Sequence, residues 1–252
     1  MLDEPFRWME AVSTRHSYIR EKLNKGQPVL GVPYNEGSLL VGFAPQPGKV
    51  YEIYDRIAFG ALGHPADVER MRMTLLEMAH LEGFNRSASD VNLLRLLQFG
   101  IAPALKQNFE EVQRAPYLIQ LLLAEIDPSG APAFYRLNYD GYWETFPNGV
   151  AIAGDATVMD WISEEIGKTD FANMTLQQAL KEALRLWEAG RKHSAELNDD
   201  HEEDESVPLS LKDAFGKWNL EAAVLSRTTP RKALFRRLGK DEIENVRAEA
   251  MK

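Results

Sequence analysis

Residues 27–63 read QPVLGVPYNEGSLLVGFAPQPGKVYEIYDRIAFGALG and contain four short segments rich in apolar and β-branched side chains. These segments are VLGVPY, SLLVGF, KVYEIYD and IAFGALG, and Asn, Gly and Pro residues separate them. This composition predicts four β-strands joined by tight turns. Only six residues run from Ala44 to Lys49, so we expect the second and third strands to lie close together.

Helices are predicted on both sides of this block of strands. Apolar residues recur at spacings of three and four in residues 6–25, 64–83 and 89–108, as they do in amphipathic helices. Residues 1–5 form a short tail before the first helix. We expect Gly83 to end the second helix and Pro103 to bend the third.

The same order of strands and then helices follows in the rest of the chain. Further strands are predicted in 117–127, 133–140, 141–145 and 149–154. The pair Asp140-Gly141 between two of them is a strong hairpin signal. Two more helices follow, and the acidic stretch 194–206 after them is interpreted as a mobile loop. Strands and helices in separate blocks indicate an α+β fold in a single domain over 1–252.

Composition excludes several classes of protein. The chain has 252 residues, no cysteine and a formal net charge of −9. These values exclude disulfide frameworks and thiol nucleophiles, and they argue against nucleic-acid binding. No apolar run reaches membrane-spanning length, and the start MLDEPFRWME lacks the apolar core of a signal peptide, so we expect a cytoplasmic protein. The five histidines have no metal-ligand spacing, so no metal or cofactor is predicted.

Several longer segments follow one another in a recognisable order. They are REKLNKG (20–26), KVYEIYDRIAFGALG (49–63), RAPYLIQLLLAEID (114–127), FYRLNYDGYWETFP (134–147) and LEAAVLSRTTPRKALFRRL (220–238). In this order and spacing, the chain resembles a bacterial proteasome α-type subunit, of the N-terminal-nucleophile hydrolase fold. The resemblance implies a four-layer αββα sandwich of two antiparallel sheets between helical layers.

The resemblance also implies an assembly. Seven copies of the chain would form the outer ring of a 20S-like barrel and stack on a ring of β-type subunits. Unfolded protein substrates would enter through a central pore, and an AAA+ ATPase or another ring activator would dock through its C-terminal tail. The gate residues at the pore would be Met1, Leu2, Asp3, Glu4 and Pro5.

The residues needed for catalysis are largely missing. An active subunit of this family uses a threonine at the start of its first strand, tuned by a nearby lysine and aspartate. Here Gln27-Pro28 stands at the threonine position, Phe43 replaces the aspartate, and Lys49 alone remains. The resemblance therefore implies a chain that is not itself an enzyme. A diverged self-compartmentalising threonine peptidase is the main alternative, and a free-standing peptide-binding ring is a third interpretation.

Lys49 has two competing interpretations. By pattern alone, a lysine after a Pro-Gly turn is typical of an exposed surface residue. In α-type subunits the matching lysine lines a pocket between neighbouring subunits and receives the activator's C-terminal carboxylate. The resemblance implies an activator-docking pocket formed by Lys49, Arg20, Gly26 and Gly63.

Overall fold

The chain folds into two stacked antiparallel β-sheets with helices on their outer faces. This architecture is seen in a computed structural model, which describes residues 4–45, 48–197 and 208–250. The strands are β1 Val29–Tyr34, β2 Gly37–Ala44, β3 Val50–Tyr54, β4 Ile57–Gly63, β5 Ile119–Ile126, β6 Pro132–Asn138, β7 Trp143–Phe146, β8 Val150–Ile152, β9 Asn219–Ser226 and β10 Phe235–Arg237. The helices are α1 Glu4–Leu23, α2 Pro65–Asn85, α3 Leu93–Leu96, α4 Ala102–Glu110, α5 Ala156–Lys168, α6 Leu176–Leu197, α7 Leu211–Lys217 and α8 Lys240–Ala250.

Three apolar cores hold the layers together. One lies between the two sheets, one between the first sheet and helices α5 to α8, and one between the second sheet and helices α2 to α4. Strands β1, β2 and β5 are buried along their whole length because each has a core on both faces. This explains why their sequences are continuously apolar rather than alternating. The predicted four-layer αββα sandwich is confirmed.

The first four strands are divided between the two sheets. The first sheet has the order β10-β9-β2-β1-β8, and the second has the order β3-β4-β5-β6-β7. Strands β2 and β3 are therefore close in space, as expected, but they are not hydrogen-bonded neighbours. The short connection between them crosses from one sheet to the other. It places the start of β3 against β9 of the opposite sheet, where residue Glu221 lies.

The ends of two helices differ from the sequence prediction. Helix α1 begins at Glu4 and ends at Leu23, so Glu4 and Pro5 belong to the helix rather than to a tail. Helix α6 continues to Leu197, past the predicted start of the acidic loop at residue 194. The Ser194 hydroxyl is buried there and donates to the carboxylate of Asp155 at the start of α5, which holds this last turn in place. Residues 1–3 and 198–207 lie outside the described residues.

The helices that follow the strand block also differ in detail. Helix α2 does not end at Gly83 but continues to Asn85, with Gly83 packed against the ring of Tyr54. The next helix begins at Leu93 rather than Ser89, because the Asn92 side chain caps it by accepting from the Arg95 N–H at 3.0 Å.

The predicted irregularity near Pro103 is present. A π-helical turn over Leu97–Ile101 comes directly before α4, and Pro103 lies in the first turn of α4. The first turn of a helix tolerates proline because its N–H groups have no partner within the helix.

Two glycines allow backbone segments to cross closely where α1 joins the sheets. The Gly154 N–H donates to the Gly26 carbonyl at 2.9 Å, and the Gly26 N–H donates to the Leu23 carbonyl at 2.7 Å. A Cβ atom on Gly154 would lie 1.8 Å from the Leu23 oxygen, and a Cβ atom on Gly26 would lie 2.8 Å from it. The end of α1 is thereby fixed against the end of β8.

Gly63 at the end of β4 should not tolerate a side chain. Its φ is +132°, and an added Cβ would lie 2.0 Å from the Leu118 carbonyl oxygen. Gly63→Ala should therefore lower the free energy of unfolding by about 1–3 kcal/mol, measured by urea denaturation. Gly167→Ala is the control, because nothing lies within 4 Å of that position in α5. It should stabilise the helix by about 0.5–1 kcal/mol. A Gly63→Ala chain as stable as the wild type would contradict the strain argument.

Candidate functional site: the Lys49 pocket

The Lys49 side chain points into the protein. Lys49 directly precedes β3, and its Nζ atom donates to the backbone carbonyl of Gln27, before β1, at 2.6 Å. Burial of the ammonium lowers the pKa of Lys49 to about 7, and the negative charge of Glu221 counteracts part of this shift. The residue as a whole is half-buried, so solvent reaches other parts of it while the ammonium is enclosed. The amino group is therefore not the exposed surface group that the Pro-Gly turn alone indicates.

A pocket of about 290 Å³ opens beside Lys49. Strand β4 and the first turns of α2 form much of its wall, together with the ends of the β2–β3 connection. Its apolar lining consists of Ala44, Pro45, Ala61, Leu62, Pro65 and Val68. The charged residues of the lining are Lys49 and Glu69. The pocket therefore combines apolar walls with one enclosed amino group.

Three of the four predicted docking residues converge on this pocket. Gly63 lines it with Lys49. Gly26 is adjacent, because a Cβ atom on it would lie 3.0 Å from a methyl group of Leu62 in the pocket wall. The next residue, Gln27, provides the carbonyl that accepts from the Lys49 ammonium.

The fourth predicted docking residue, Arg20, lies elsewhere on this chain. It belongs to a groove on α1 that is lined by Trp8, Val12 and His16 and shares no residue with the Lys49 pocket. The Arg20 guanidinium also forms a hydrogen bond with the Tyr139 hydroxyl, which counteracts the rise that burial causes in the pKa of Tyr139. Within one chain, then, Arg20 is not part of the pocket, and its role stays a prediction.

The predicted gate can be followed only in part. Met1, Leu2 and Asp3 lie outside the described residues, and Glu4 and Pro5 form the first turn of α1. The gating role of these five residues stays a prediction.

Gln27 and Phe43 have structural roles in this chain. They stand where active subunits have the catalytic threonine and aspartate. Gln27 is 5% exposed, and its side-chain amide donates to the Lys25 carbonyl at 2.9 Å. Phe43 is fully buried in the core between the first sheet and its helices. Its ring centroid lies 4.9 Å from that of Trp187 and 5.1 Å from that of Phe215. The prediction that Phe43 packs into a core is confirmed.

Sequence reasoning missed Glu221 on β9, which contacts the backbone at the start of β3. Its carboxylate accepts three N–H bonds, from Gly48 at 2.6 Å, Lys49 at 3.0 Å and Val50 at 3.1 Å. These partners are separated from Glu221 by 171 to 173 residues, so no local pattern could pair them. The one available signal was an acidic residue inside the apolar segment LEAAVLS.

Residues 4–45, 48–197 and 208–250 lack two kinds of feature. No group of three or more His, Cys, Asp or Glu residues within them could hold a metal ion. In the same part of the chain, no helix is both long enough and apolar enough to cross a membrane.

Comparisons with known proteins agree with the fold. The family model described as proteasome subunit matches residues 23–198. The chain is 30% identical over 243 residues to a proteasome subunit alpha from a Nocardioides species. The aligned region covers 95% of this chain and 87% of that protein. It is 29% identical over 232 residues to the proteasome subunit alpha of Streptomyces coelicolor, covering 91% and 83% of the two chains. The corresponding subunit of Mycolicibacterium vanbaalenii is 30% identical over 245 residues, covering 95% and 88%.

These matches span most of the chain, and the relatives carry the name of the α subunits, the non-catalytic members of their family. With glutamine and a buried phenylalanine at two of the catalytic positions, the chain belongs to the proteasome subunit family as a non-catalytic α-type member.

Proposed function

We propose that this chain forms the outer ring of a bacterial 20S proteasome core particle and docks a ring activator through the Lys49 pocket. The observation that carries the docking proposal is an amino group enclosed beside an apolar pocket of about 290 Å³. Seven copies would form the ring and would stack on a ring of β-type subunits, which supply the peptidase activity.

The surface of α1 supports packing against a neighbouring copy. Several large apolar side chains on this helix are exposed in the single chain, including Phe6 at 74% and Met9 at 61%. Trp8 and Tyr18 on the same helix are also exposed, each to a little under half. Exposed apolar groups that follow one helix are typical of an interaction surface. We propose that neighbouring copies in the ring cover these exposed parts of α1.

The pocket has the chemistry to hold the C-terminus of a peptide. The ammonium of Lys49 can form a charge-assisted hydrogen bond with a terminal carboxylate. The apolar walls can bury the side chains next to that carboxylate, which strengthens the bond by excluding water. The proposed partner is therefore the C-terminal tail of an AAA+ ATPase or a comparable ring activator.

The remaining parts of the proposal concern substrate entry. Unfolded protein chains would pass through the centre of the ring, with residues 1–5 at the opening as the gate. This function places the particle in the cytoplasm. The alternative of a threonine peptidase has no support in the structure, because Gln27 and Phe43 are committed to packing and backbone contacts.

Assembly with a β-type subunit tests the proposal directly. The chain would be co-expressed with a β-type subunit of the same organism and imaged by negative stain after size exclusion. Stacked rings with sevenfold symmetry are expected, with peptidase activity only when the β-type subunit is present. A chain that remains monomeric with its β-type partner would contradict the ring.

Tail binding should weaken as the pH rises. The free pocket holds a Lys49 amino group with a pKa of about 7, whereas a C-terminal carboxylate is ionised throughout the neutral range. Because the carboxylate favours the protonated amine, affinity should be full below the free-state pKa. Above it, affinity should fall by up to about tenfold per pH unit.

Fluorescence anisotropy between about pH 5.5 and 9 can measure this dependence, with a labelled peptide ending in Leu-Phe-Ala and a free carboxylate. The same peptide with an amidated C-terminus is the control. It should bind weakly at every pH because it carries no charge for Lys49. Equal affinity of the free peptide at pH 6 and pH 9 would contradict the role of the ammonium.

A further inference from the structure

Glu221 contacts the docking pocket from the opposite sheet. It lies on β9, is 7% exposed, and accepts hydrogen bonds from three consecutive backbone N–H groups. One carboxylate oxygen, Oε1, accepts from Gly48, and the other, Oε2, accepts from Lys49 and Val50. Hydrogen bonds from several N–H groups fix the orientation of a buried carboxylate. The backbone that carries Lys49 is thereby tied to β9.

A second residue from the same part of the chain completes this attachment. Arg237 on β10 donates to the Val50 carbonyl at 2.7 Å, and its guanidinium lies 3.7 Å from the Glu221 carboxylate. Val50 is thus held through its N–H by Glu221 and through its C=O by Arg237. The backbone at the start of β3 has little freedom to move relative to the first sheet.

Charged groups on β9, α2 and β10 lie around Lys49 and its pocket. Glu221 lies on β9, and the attraction of its negative charge favours the charged amine. Glu69 lines the same pocket from α2, where Arg72 pairs with it at 2.7 Å. Arg237 is the nearby cation on β10, and its charge is directed at Glu221. Glu221 is therefore the anion whose charge supports protonation of Lys49.

From this geometry we propose that Glu221 is a positioning residue for activator docking, which fixes the backbone of Lys49 and keeps its amine in the form that binds a carboxylate. The inference rests on the proposed function of the Lys49 pocket. It adds a residue on β9, outside the pocket lining, that controls the affinity of the pocket and its dependence on pH.

Glu221→Gln tests both proposed roles of the carboxylate, which are to fix the Lys49 backbone and to favour the protonated Lys49 amine. An amide offers one acceptor oxygen and directs an NH₂ group at N–H donors, so at least one of the three hydrogen bonds is lost. Affinity for the free-carboxylate Leu-Phe-Ala peptide should fall by about 10- to 100-fold. The pH at which binding is half lost should also move downwards, because the anion that supports protonation is gone. Glu221→Asp keeps the charge but is shorter, so it should lose less affinity and keep the pH midpoint close to that of the wild type.

Glu52→Gln is the matched control. It makes the same change of charge on β3, three residues from Lys49, at an exposed side chain. Its peptide affinity and pH midpoint should equal those of the wild type. Circular dichroism of each full-length variant reports whether it folds. If Glu221→Gln does not fold, the peptide affinity of Glu221→Asp decides whether Glu221 positions Lys49.

A second measurement does not depend on peptide binding. NMR titration of the Lys49 side chain, assigned by the signal missing from a Lys49→Arg chain, gives the pKa of the amine directly. Glu221→Gln should lower it, and Glu52→Gln should leave it unchanged. Wild-type affinity and an unchanged Lys49 titration in Glu221→Gln would overturn the inference. Lost affinity with an unchanged titration would also overturn it, because Glu221 would then be only a structural residue.

The two proposals fail in different ways. If the wild-type chain binds the free and the amidated peptides equally, the docking function is wrong. The Lys49 titration then still decides whether Glu221 sets the protonation of that amine.

Discussion

Phe43→Asp should unfold the chain rather than restore a catalytic centre. The substitution returns the acidic residue of active subunits, but the Phe43 ring is fully buried against Trp187 and Phe215. Removing a buried phenylalanine side chain costs about 3–5 kcal/mol, and burying a carboxylate in its place adds several more. The sum is comparable with the total stability of an ordinary domain, about 5–15 kcal/mol.

Thermal unfolding followed by circular dichroism measures this effect. Phe43→Leu is the control, since it keeps an apolar group at the site and should cost no more than about 1–2 kcal/mol. A Phe43→Asp chain that melts like the wild type would contradict the packing argument. Hydrolysis of a fluorogenic peptide by the purified wild-type chain, free of β-type subunit, would contradict the assignment as a non-catalytic member.

Lys49→Ala should weaken activator binding strongly while leaving assembly intact. Loss of one partner of a buried, hydrogen-bonded charge pair costs about 2–5 kcal/mol at an interface, and loss of an exposed pair costs about 0–1 kcal/mol. The Lys49 ammonium is enclosed but lies at an open pocket, so the loss per site should fall between these limits. Several tails docking on one ring would multiply the effect.

Activator affinity at matched salt concentration is the measurement, with assembly checked by size exclusion. Lys49→Arg should restore binding only in part, because a planar guanidinium presents its donors differently from a compact ammonium. Lys212→Ala, at an exposed position in α7, controls for the loss of one positive charge. Unchanged affinity in the Lys49→Ala ring would remove the basis for the pocket.

Local sequence signals were sufficient for most individual elements. Strands β1 and β4 have the bounds predicted from VLGVPY and IAFGALG, because glycine, proline and asparagine mark their ends. The hairpin at Asp140-Gly141 is also confirmed, with Gly141 at a φ of +81°. The order of strands in the sheets was not predictable in this way. Strand β2 pairs along its whole length with β9, which lies far away in the chain, and periodicity contains no information about such pairings.

The candidate site was predictable only through the resemblance. The local pattern of a lysine after a Pro-Gly turn indicated an exposed Lys49, whereas its ammonium is held by the carbonyl of Gln27, 22 residues away. Glu221 could not be connected with Lys49 from the sequence, because the contact depends on how the two sheets stack. The position of Arg20 on a separate groove likewise depends on how α1 lies against the body of the protein.

The close backbone contact between Gly26 and Gly154 limits how far the orientation of α1 can vary. In a closed ring, each copy meets the next at the same angle, and an error in that angle accumulates from copy to copy until the ring fails to close. In the proposed ring the orientation of α1 contributes to this angle. At Gly26 and Gly154 two backbone segments are in direct contact, without side chains between them, so α1 has little room to pivot. In the proposed ring, an α1 fixed in this way would meet the next copy at the same angle in every subunit.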